Sequence, residues 1–399
     1  MLTAHRIALD PNDRQATGLA RAAGTARFAH NWALVEWERQ YEAHKKDPSL
    51  PLPSEAALRR QLNAIKKTEF PWMLEVTKNA PQMAIIQLGR AYRNFFQGRA
   101  KHPTFRRRGR DDRFTLTNDQ FDVRGKRIRI PRLGWVRMRE ALRFSGKVMS
   151  ATVSRTAGRW FVSIVVETED VPKQPLEHGG VIGVDLGVNA LATLSNGEEV
   201  PGPKALRRHL RRLRRLSRSV SRKEKGSKNR AKARTKLARL HARISHIRLD
   251  ALHKLTSDLT RRFDVIAIED LNVSGMVKNH HLARAVSDMG LGEFRRQLAY
   301  KAWRRGRVVV MADRFFPSSK RCSACHFVME EMPLSVRTWT CPRCGAGHLR
   351  DLNAAINLVQ YAASSAVSAC GGEGSGDGRG TIVKPAPSKQ EVSAKAAIA

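Results

Sequence analysis

Three acidic residues of this 399-residue chain stand where a protein could hold divalent cations. Asp185 ends the apolar run Val-Ile-Gly-Val, and Glu269 ends the run Val-Ile-Ala-Ile. Asp351 opens a third segment, Asp-Leu-Asn-Ala-Ala-Ile-Asn-Leu, which has the pattern of a helix. The two apolar runs predict buried strands. A sheet built from them would bring distant carboxylates to one edge.

Such a set of carboxylates suits phosphodiester cleavage. At neutral pH the reaction needs an activated water and a stabilised leaving oxygen, which two Mg²⁺ ions about 3.5–4 Å apart supply. Mg²⁺ prefers carboxylate oxygen as a ligand, so three acids at strand and helix ends would bridge and position such a pair. One acid at a strand end is more often a surface charge. The ordered set of three is far more specific than its members.

A second group of residues has the spacing of a zinc site. Two Cys-x-x-Cys pairs are separated by 15 residues. Four thiolates at this spacing favour a closed tetrahedral site, which is structural because no position is left open for a substrate. The predicted ligands are Cys322, Cys325, Cys341 and Cys344. The fifth cysteine, Cys370, falls in the C-terminal tail and is expected to be incidental.

The charge of the chain points to a polyanionic partner. Lys and Arg number 73 against 36 Asp and Glu, which gives a formal net charge of +37. A chain this basic meets nucleic acid first. An anionic membrane is the rival partner, but no run approaches the roughly 18 apolar residues of a transmembrane helix. We therefore expect the cytoplasm and no membrane partner.

The charge is densest in a predicted helical hairpin. Between Lys204 and Arg248 there are 19 Lys and Arg against one acid, Glu224. Apolar residues recur every three or four positions on both sides of Gly226, which predicts two amphipathic helices joined by a turn. A solvated face is the plainer interpretation of such charge. Nineteen like charges repel, however, so a stable hairpin of this kind would need an anionic partner.

The remaining patterns predict elements that surround these sites. Residues 14–46 and 54–100 have helical periodicity, and alternating runs between 104 and 178 predict a small β domain with basic strands. The segment from 369 onward is rich in Gly, Ser and Ala, which predicts disorder. Candidate nucleic-acid contacts are Arg106, Arg107, Arg108, Arg211, Arg212, Arg215, Arg222 and Lys223.

Three motifs together resemble those of TnpB, the nuclease family encoded by insertion sequences of the OrfB type. They are Gly183-Val-Asp-Leu-Gly-Val-Asn, Ile268-Glu-Asp-Leu-Asn and Arg350-Asp-Leu-Asn-Ala-Ala-Ile-Asn-Leu. The phrase Phe316-Pro-Ser-Ser-Lys before the first cysteine pair is also typical of that family. The resemblance spans residues 5–360. Many family members have Asp two residues before the third acid, where this chain has Leu349.

The resemblance implies a fold and an activity. The fold would be multidomain, α/β and α+β, with a RuvC-like, RNase H-type core, a basic hairpin insertion, a zinc-ribbon knuckle, a helical lobe and a β wedge domain. The enzyme would be a Mg²⁺-dependent DNA endonuclease, with Mn²⁺ as the alternative ion. A guide RNA would direct it to double-stranded DNA beside a short flanking motif, and the chain would act as a monomer. Its catalytic residues and metal ligands would be Asp185, Glu269 and Asp351.

The resemblance also implies a division into domains. A helical lobe would interrupt the wedge domain, and a knuckle would interrupt the nuclease core. The expected ranges are 1–12 for the first wedge strand, 13–105 for the helical recognition lobe, 106–178 for the β-rich wedge domain, 179–313 for the first part of the core with the basic hairpin at 204–262, 314–347 for the zinc-binding knuckle, 348–368 for the second part of the core, and 369–399 for a disordered tail.

Three other functions stay open at this point. A compact type V CRISPR effector would share the same motifs, and a neighbouring repeat array would identify it. A nuclease-independent, RNA-guided DNA-binding repressor is disfavoured because all three acids are intact. A DNA transposase acting without RNA is disfavoured by the basic hairpin and by the family resemblance.

Overall fold

The computed structural model describes residues 1–169, 179–369 and 381–382. The chain divides into two compact units, Met1–Asp170 and Val171–Ala399. None of the helices in the described ranges is long and apolar enough to cross a membrane.

The first unit combines helices with an antiparallel sheet. Its strand order is β2-β6-β7-β1-β5-β4-β3, so the N-terminal strand lies at the centre. The elements are β1 (Leu2–Asp10), α1 (Asp13–Lys46), α2 (Glu55–Ile65), α3 (Asn79–Phe96), β2 (Arg113–Thr117), β3 (Asp122–Arg124), β4 (Arg127–Ile130), β5 (Gly134–Met138), β6 (Lys147–Thr156) and β7 (Arg159–Glu167).

Local sequence explains the helices of this unit. Asn12 accepts a hydrogen bond from the backbone of Gln15, whose side chain bonds back to Asn12, and this reciprocal cap starts α1. The predicted helix over 54–100 is interrupted between α2 and α3, where Pro71 begins a short 3₁₀ turn because proline cannot continue an α-helix. Buried residues of the helices and the sheet form one shared core. The separation into a recognition lobe and a wedge domain therefore stays a prediction.

The second unit is built on a six-stranded mixed sheet of order β10-β9-β8-β11-β12-β15. Its elements are β8 (Val181–Asp185), β9 (Ala190–Leu194), β10 (Glu199–Pro201), α4 (Ala205–Ser221), α5 (Lys228–Arg262), β11 (Val265–Glu269), α6 (Val273–Met276), α7 (Ala283–Met289), α8 (Leu291–Arg305), β12 (Val308–Ala312), β13 (Thr338–Thr340), β14 (Gly347–Leu349), α9 (Arg350–Ala369) and β15 (Thr381–Ile382).

The three central strands of this sheet are parallel. β11 pairs in parallel with both β8 and β12, whereas β9 returns antiparallel to β8. Helices cover both faces, because Ile266 and Ile268 pack in a cluster with α5 and α8, while the intervening Ala267 packs in a cluster with Leu358 and Tyr361 of α9. Neighbouring side chains of a strand point to opposite faces. Parallel strands covered on both sides are typical of α/β folds.

The basic hairpin has the two helices that the sequence predicts. α4 ends at Ser221 and α5 begins at Lys228, and Gly226 has φ +91° in the turn between them. Leu240 and Ile244 of α5 form the buried seam with apolar residues of α4. The base is held because the buried carboxylate of Asp288 accepts the first backbone N–H groups of α4.

Most of the predicted disordered tail lies outside the described residues, as does Cys370. The two residues described there, Thr381–Ile382, form β15, which pairs antiparallel with β12. Both are β-branched, and β-branched residues favour strands. The prediction of a disordered tail stays a prediction.

Glycine 183 sets how closely α9 approaches the sheet. A β-carbon built there would lie 1.8 Å from the carbonyl oxygen of Ala355 in α9. We expect Gly183→Ala to push the helix away from β8 and to lower the free energy of unfolding by about 1–3 kcal/mol, as for other overpacked sites. Chemical denaturation measures this change. Gly292→Ala is the control, because its nearest neighbour would be at an ordinary 3.9 Å; equal stability of the two variants would contradict the prediction.

Candidate active site and metal-binding cluster

Two of the predicted acids lie side by side at one edge of the second sheet. Asp185 is the last residue of β8, and Glu269 is the last residue of β11. Because Ile268 is paired with Val184 in this parallel ladder, the next residue of each strand comes level with the other. The carboxyl ends of parallel strands therefore put both acids at the same height, as the sequence predicts.

The third acid reaches this edge through α9. The close contact of Ala355 with Gly183 fixes the helix against β8. Asp351 precedes Ala355 by four residues, which is about 6 Å along an α-helix. Asp185 follows Gly183 by two residues on the strand. The charge of Asp351 acts on both Asp185 and Glu269, so the structure brings all three predicted acids together.

The carboxylates interact unfavourably with one another. Burial raises the pKa of Asp185 well above the usual range of an aspartate, and the negative charges of Glu269 and Asp351 raise it further, against Arg350 and Arg337. Burial also raises the pKa of Glu269. Two effects oppose this rise in the pKa of Glu269. The hydroxyl of buried Ser318 donates a hydrogen bond to its Oε1, and the positive charge of Arg350 is nearby. Fixed negative charges that raise each other's pKa favour a bound cation.

The donor set fits hard divalent cations. All three groups offer carboxylate oxygen, which Mg²⁺ prefers. Within the described ranges, the four cysteines are the one group of three or more potential ligands whose ligand atoms all lie within 4.8 Å of each other, and the three acids do not meet this criterion. Asp351 also has an arginine beside it, with Arg337 Nη1 3.6 Å from its Oδ1.

The four cysteines come together as the spacing predicts. The Sγ atoms of Cys322 and Cys344 are 3.7 Å apart, and those of Cys325 and Cys341 are 3.6 Å apart. Distances of this size are those between the ligands of a tetrahedral zinc ion with Zn–S bonds of about 2.3 Å. His348 Nε2 lies 3.1 Å from Cys322 Sγ. The cluster fits a structural zinc ion.

Hydrogen bonds connect the cysteine cluster to the start of α9. Asn353 Nδ2 donates to the carbonyl of Arg321 at 2.7 Å, and Asn353 Oδ1 accepts from the backbone of Ser323 at 3.0 Å. Asn357, one turn further along the helix, donates to the carbonyl of Ser318 at 2.8 Å. Sequence reasoning did not identify the roles of these residues. The two asparagines lie in the third motif, and Ser318 lies in the Phe-Pro-Ser-Ser-Lys phrase. Their presence in these motifs is the sequence feature that could have identified them.

The predicted nucleic-acid contacts differ in exposure. Arg106 is half-buried and donates to Gln87 Oε1 at 3.0 Å, and burial lowers its pKa to about 10. Its guanidinium is held inside the first unit, which makes it a weaker candidate than its neighbours. Lys223 is also half-buried. The other candidates are exposed: Arg107, Arg108, Arg211, Arg212, Arg215 and Arg222. Their contact with nucleic acid stays a prediction.

Removing one of the three negative charges should stabilise the protein when no divalent cation is present. Folding raises the pKa of Asp185, so the unfavourable energy is fully present above that raised pKa and fades as the pH falls toward the usual aspartate range. We expect Asp185→Asn in EDTA at pH 7.5 to raise the Tm by at least about 2 °C. Saturating Mg²⁺ should raise the Tm of the wild type more than that of the variant. A Mg²⁺ effect of equal size in both would contradict a cation site at these acids.

Loss of one cysteine should remove the zinc ion. We expect Cys341→Ser to lower the zinc content from about one ion per chain to near zero and to lower the Tm, because metal binding stabilises the folded state. Elemental analysis and thermal melting measure the two effects. Cys370→Ser is the matched control. Unchanged zinc content and melting in Cys341→Ser would rule the site out.

Comparison with known families covers most of the chain. Residues 163–280 match the IS605 OrfB family described as "Probable transposase". Residues 292–358 match the family described as "Cas12f1-like, TNB domain". Residues 1–46 match a "Helix-turn-helix domain" of the same OrfB type, although the structure has one strand and one long helix there.

Several relatives match along nearly their whole length. The chain is 41% identical over 367 residues to a Streptomyces pristinaespiralis protein named "Putative RNA-guided DNA endonuclease", covering 90% of this chain and 89% of that protein. It is 36% identical over 389 residues to the Escherichia coli K12 protein named "Putative RNA-guided DNA endonuclease InsQ", covering 93% and 94%.

A solved structure shares the fold. It is described as "Cryo-EM structure of the Cas12f1-sgRNA-target DNA complex", and it aligns with a TM-score of 0.50 and 14% identity over 87% of this chain and 83% of that one. The resemblance in motifs, the family matches and the long alignments agree with one another. The chain belongs to the OrfB family of IS605-type insertion sequences, the TnpB family, and its mixed α/β fold is similar to that of Cas12f.

Proposed function

We propose that this protein is an RNA-guided DNA endonuclease of a transposable element, which cuts double-stranded DNA beside a short flanking motif. The observation that carries the proposal is the group of three acids at one sheet edge, where Asp185 and Glu269 have raised pKa values. The names of the two long relatives support a DNA endonuclease that uses a guide RNA. The catalytic residues would be Asp185, Glu269 and Asp351.

The three acids would act together as ligands of divalent cations. The three carboxylates would hold two Mg²⁺ ions, with Mn²⁺ as the alternative. Bound ions of this kind activate a water and stabilise the leaving oxygen of a phosphodiester. The hydroxyl of Ser318 keeps the Glu269 carboxylate in a fixed orientation by donating to Oε1. Arg337 and Arg350 act against the rise in the pKa of Asp185 and so favour its ionised form, the form that binds cations.

The basic hairpin is the strongest candidate for a guide-RNA contact. The 19 Lys and Arg between Lys204 and Arg248, against one acid, would neutralise phosphates and release counterions. Base pairing between guide and target would then supply sequence specificity, while the protein would contact the backbones and the flanking motif. The partners of the proposed function are therefore a guide RNA and double-stranded target DNA, bound by a monomer, with a structural zinc ion in the cysteine cluster.

A compact type V CRISPR effector is the second candidate. The likeness to the Cas12f1 fold favours it. The match to the IS605 OrfB family described as "Probable transposase" and the long alignment with a protein named as an RNA-guided DNA endonuclease favour the first candidate. The RNA that the protein carries separates them. An RNA ending in sequence from beside the element supports the transposon nuclease, whereas a spacer-repeat RNA supports the CRISPR effector.

Single acid-to-alanine changes test the catalytic assignment. The protein is expressed with its native flanking DNA, purified with its RNA, and given a matched DNA target in Mg²⁺. We expect Asp185→Ala and Glu269→Ala to retain the RNA and to lower the cleavage rate by at least about 10³-fold, because the remaining acids would not hold both ions. Asp264→Ala, at the other end of β11, should cleave at the wild-type rate. Normal cleavage by either acid variant would show that the assignment is wrong.

A further inference from the structure

An acid next to Glu269 is held by two arginines. Asp270 follows the end of β11, and its side chain is only 19% exposed. Arg295 of α8 donates to Asp270 Oδ1 at 2.7 Å, and Arg314, two residues after β12, donates to Oδ2 at 2.6 Å. Each oxygen of the carboxylate therefore fixes a different arginine. The two arginines come from separate segments, so Asp270 draws both to the same edge of the sheet as Glu269.

This group keeps a net positive charge and unused hydrogen-bonding capacity. One carboxylate faces two guanidinium groups, and each guanidinium has five N–H donors, of which Asp270 accepts one. The side chains of Arg295 and Arg314 remain 42% and 51% exposed. Arginine binds phosphate oxygens in pairs of hydrogen bonds. The arrangement is suited to a phosphate that approaches the sheet edge from solvent.

An exposed aromatic ring stands beside Arg314. Phe315 is 88% exposed, although its backbone is fixed by a 2.9 Å hydrogen bond from its N–H to Asp313 Oδ1. The next residue, Phe316, packs against Tyr361 with ring centroids 4.7 Å apart. The backbone of Phe315 is therefore fixed by a hydrogen bond, while its ring is exposed to solvent. Aromatic rings beside basic groups are the stacking platforms of proteins that bind single-stranded nucleic acid.

The ring lies close to the acids. Phe315 precedes Ser318 by three residues, and the hydroxyl of Ser318 donates to Glu269. Three residues span at most roughly 11 Å between α-carbons. The α-carbon of Phe315 therefore lies within this distance of that of a residue that contacts Glu269, which puts Phe315 within reach of a strand bound at the three acids. The neighbouring arginines favour this occupant over a protein partner, because a protein-binding apolar surface needs several exposed apolar residues in one patch.

We propose that Asp270, Arg295, Arg314 and Phe315 form a strand ledge, which binds the unpaired DNA strand next to the phosphate to be cut. Phe315 stacks on a base, and Arg295 and Arg314 contact backbone phosphates. Asp270 is a positioning residue that acts through the two arginines. The ledge requires an unpaired strand, since neighbouring bases cover the faces of a base within a duplex. This inference rests on the proposed function and names the form of DNA that the site accepts.

The test separates stacking from packing at position 315. The zinc-loaded, RNA-loaded full-length protein is given a matched DNA whose target region is already unpaired, and the DNA concentration at half-maximal cleavage rate is measured. We expect Phe315→Leu to raise that concentration by about 5- to 100-fold, as for loss of one base-stacking contact, and Phe315→Tyr to stay within about threefold. Phe96→Ala, an exposed phenylalanine of the first unit, is the control.

A second readout does not depend on cleavage. A single-stranded oligonucleotide carrying 2-aminopurine is bound to the RNA-loaded Glu269→Ala protein, and stacking on Phe315 should quench its fluorescence. Quenching should persist with tyrosine and disappear with leucine at position 315. Asp270→Asn should weaken binding of the oligonucleotide about tenfold, whereas Asp264→Asn, which removes the acid paired with Arg307 at the opposite end of β11, should not.

The outcomes distinguish the two proposals. Wild-type cleavage together with equal half-saturation for Phe315→Leu and the wild type would overturn the ledge and leave the endonuclease standing. Equal binding by Asp270→Asn and Asp264→Asn would overturn the role of Asp270. Absence of any RNA-dependent cleavage by the wild type would overturn the proposed function itself.

Discussion

The placement of three carboxylates at one sheet edge, where burial and mutual repulsion both disfavour their charge, is the constraint that the second unit must satisfy. Parallel pairing puts Asp185 and Glu269 level at the end of two buried strands, and the contact of Gly183 with Ala355 brings the start of α9 over them. Without a cation this arrangement costs energy, because burial first, and the neighbouring negative charges second, raise the pKa of Asp185, and burial raises that of Glu269. The fold offsets that cost through two buried apolar clusters on either face of the sheet. The site is thus preorganised for positive charge.

The cysteine cluster acts on the same site from a distance. It lies in the chain between β12 and α9, and hydrogen bonds connect it to the first turn of the helix that carries Asp351. Asn353 and Asn357 bind backbone groups of the segment that contains the first cysteine pair. The same segment contains Ser318, which contacts Glu269. A structural zinc ion would therefore hold together two segments that each contribute to the acid group, although it would take no part in the chemistry.

The sequence predicts local elements better than the packing between distant segments. Buried strands that end in Asp185 and Glu269 follow from short apolar runs, and the four cysteines follow from their spacing, because both patterns are local. The hairpin follows from its leucine periodicity. The glycines flanking Asp185 predict a close approach of backbone, but the partner of Gly183 was not predicted, since Ala355 lies more than 170 residues away in the chain. The partial burial of the Arg106 side chain against Gln87 was not predicted either, nor was the pairing of Asp270 with two arginines. Both depend on segments that meet only in the folded chain.

Binding of Mn²⁺ tests the central claim most directly. Electron paramagnetic resonance counts the Mn²⁺ ions bound by the zinc-loaded wild type and by Glu269→Gln, which keeps the size of the side chain and removes its charge. The account predicts at least one Mn²⁺ per wild-type chain that the variant does not bind at the same free concentration. Equal binding by the two proteins would mean that the three acids do not form a cation site, and the proposed nuclease mechanism would then be wrong.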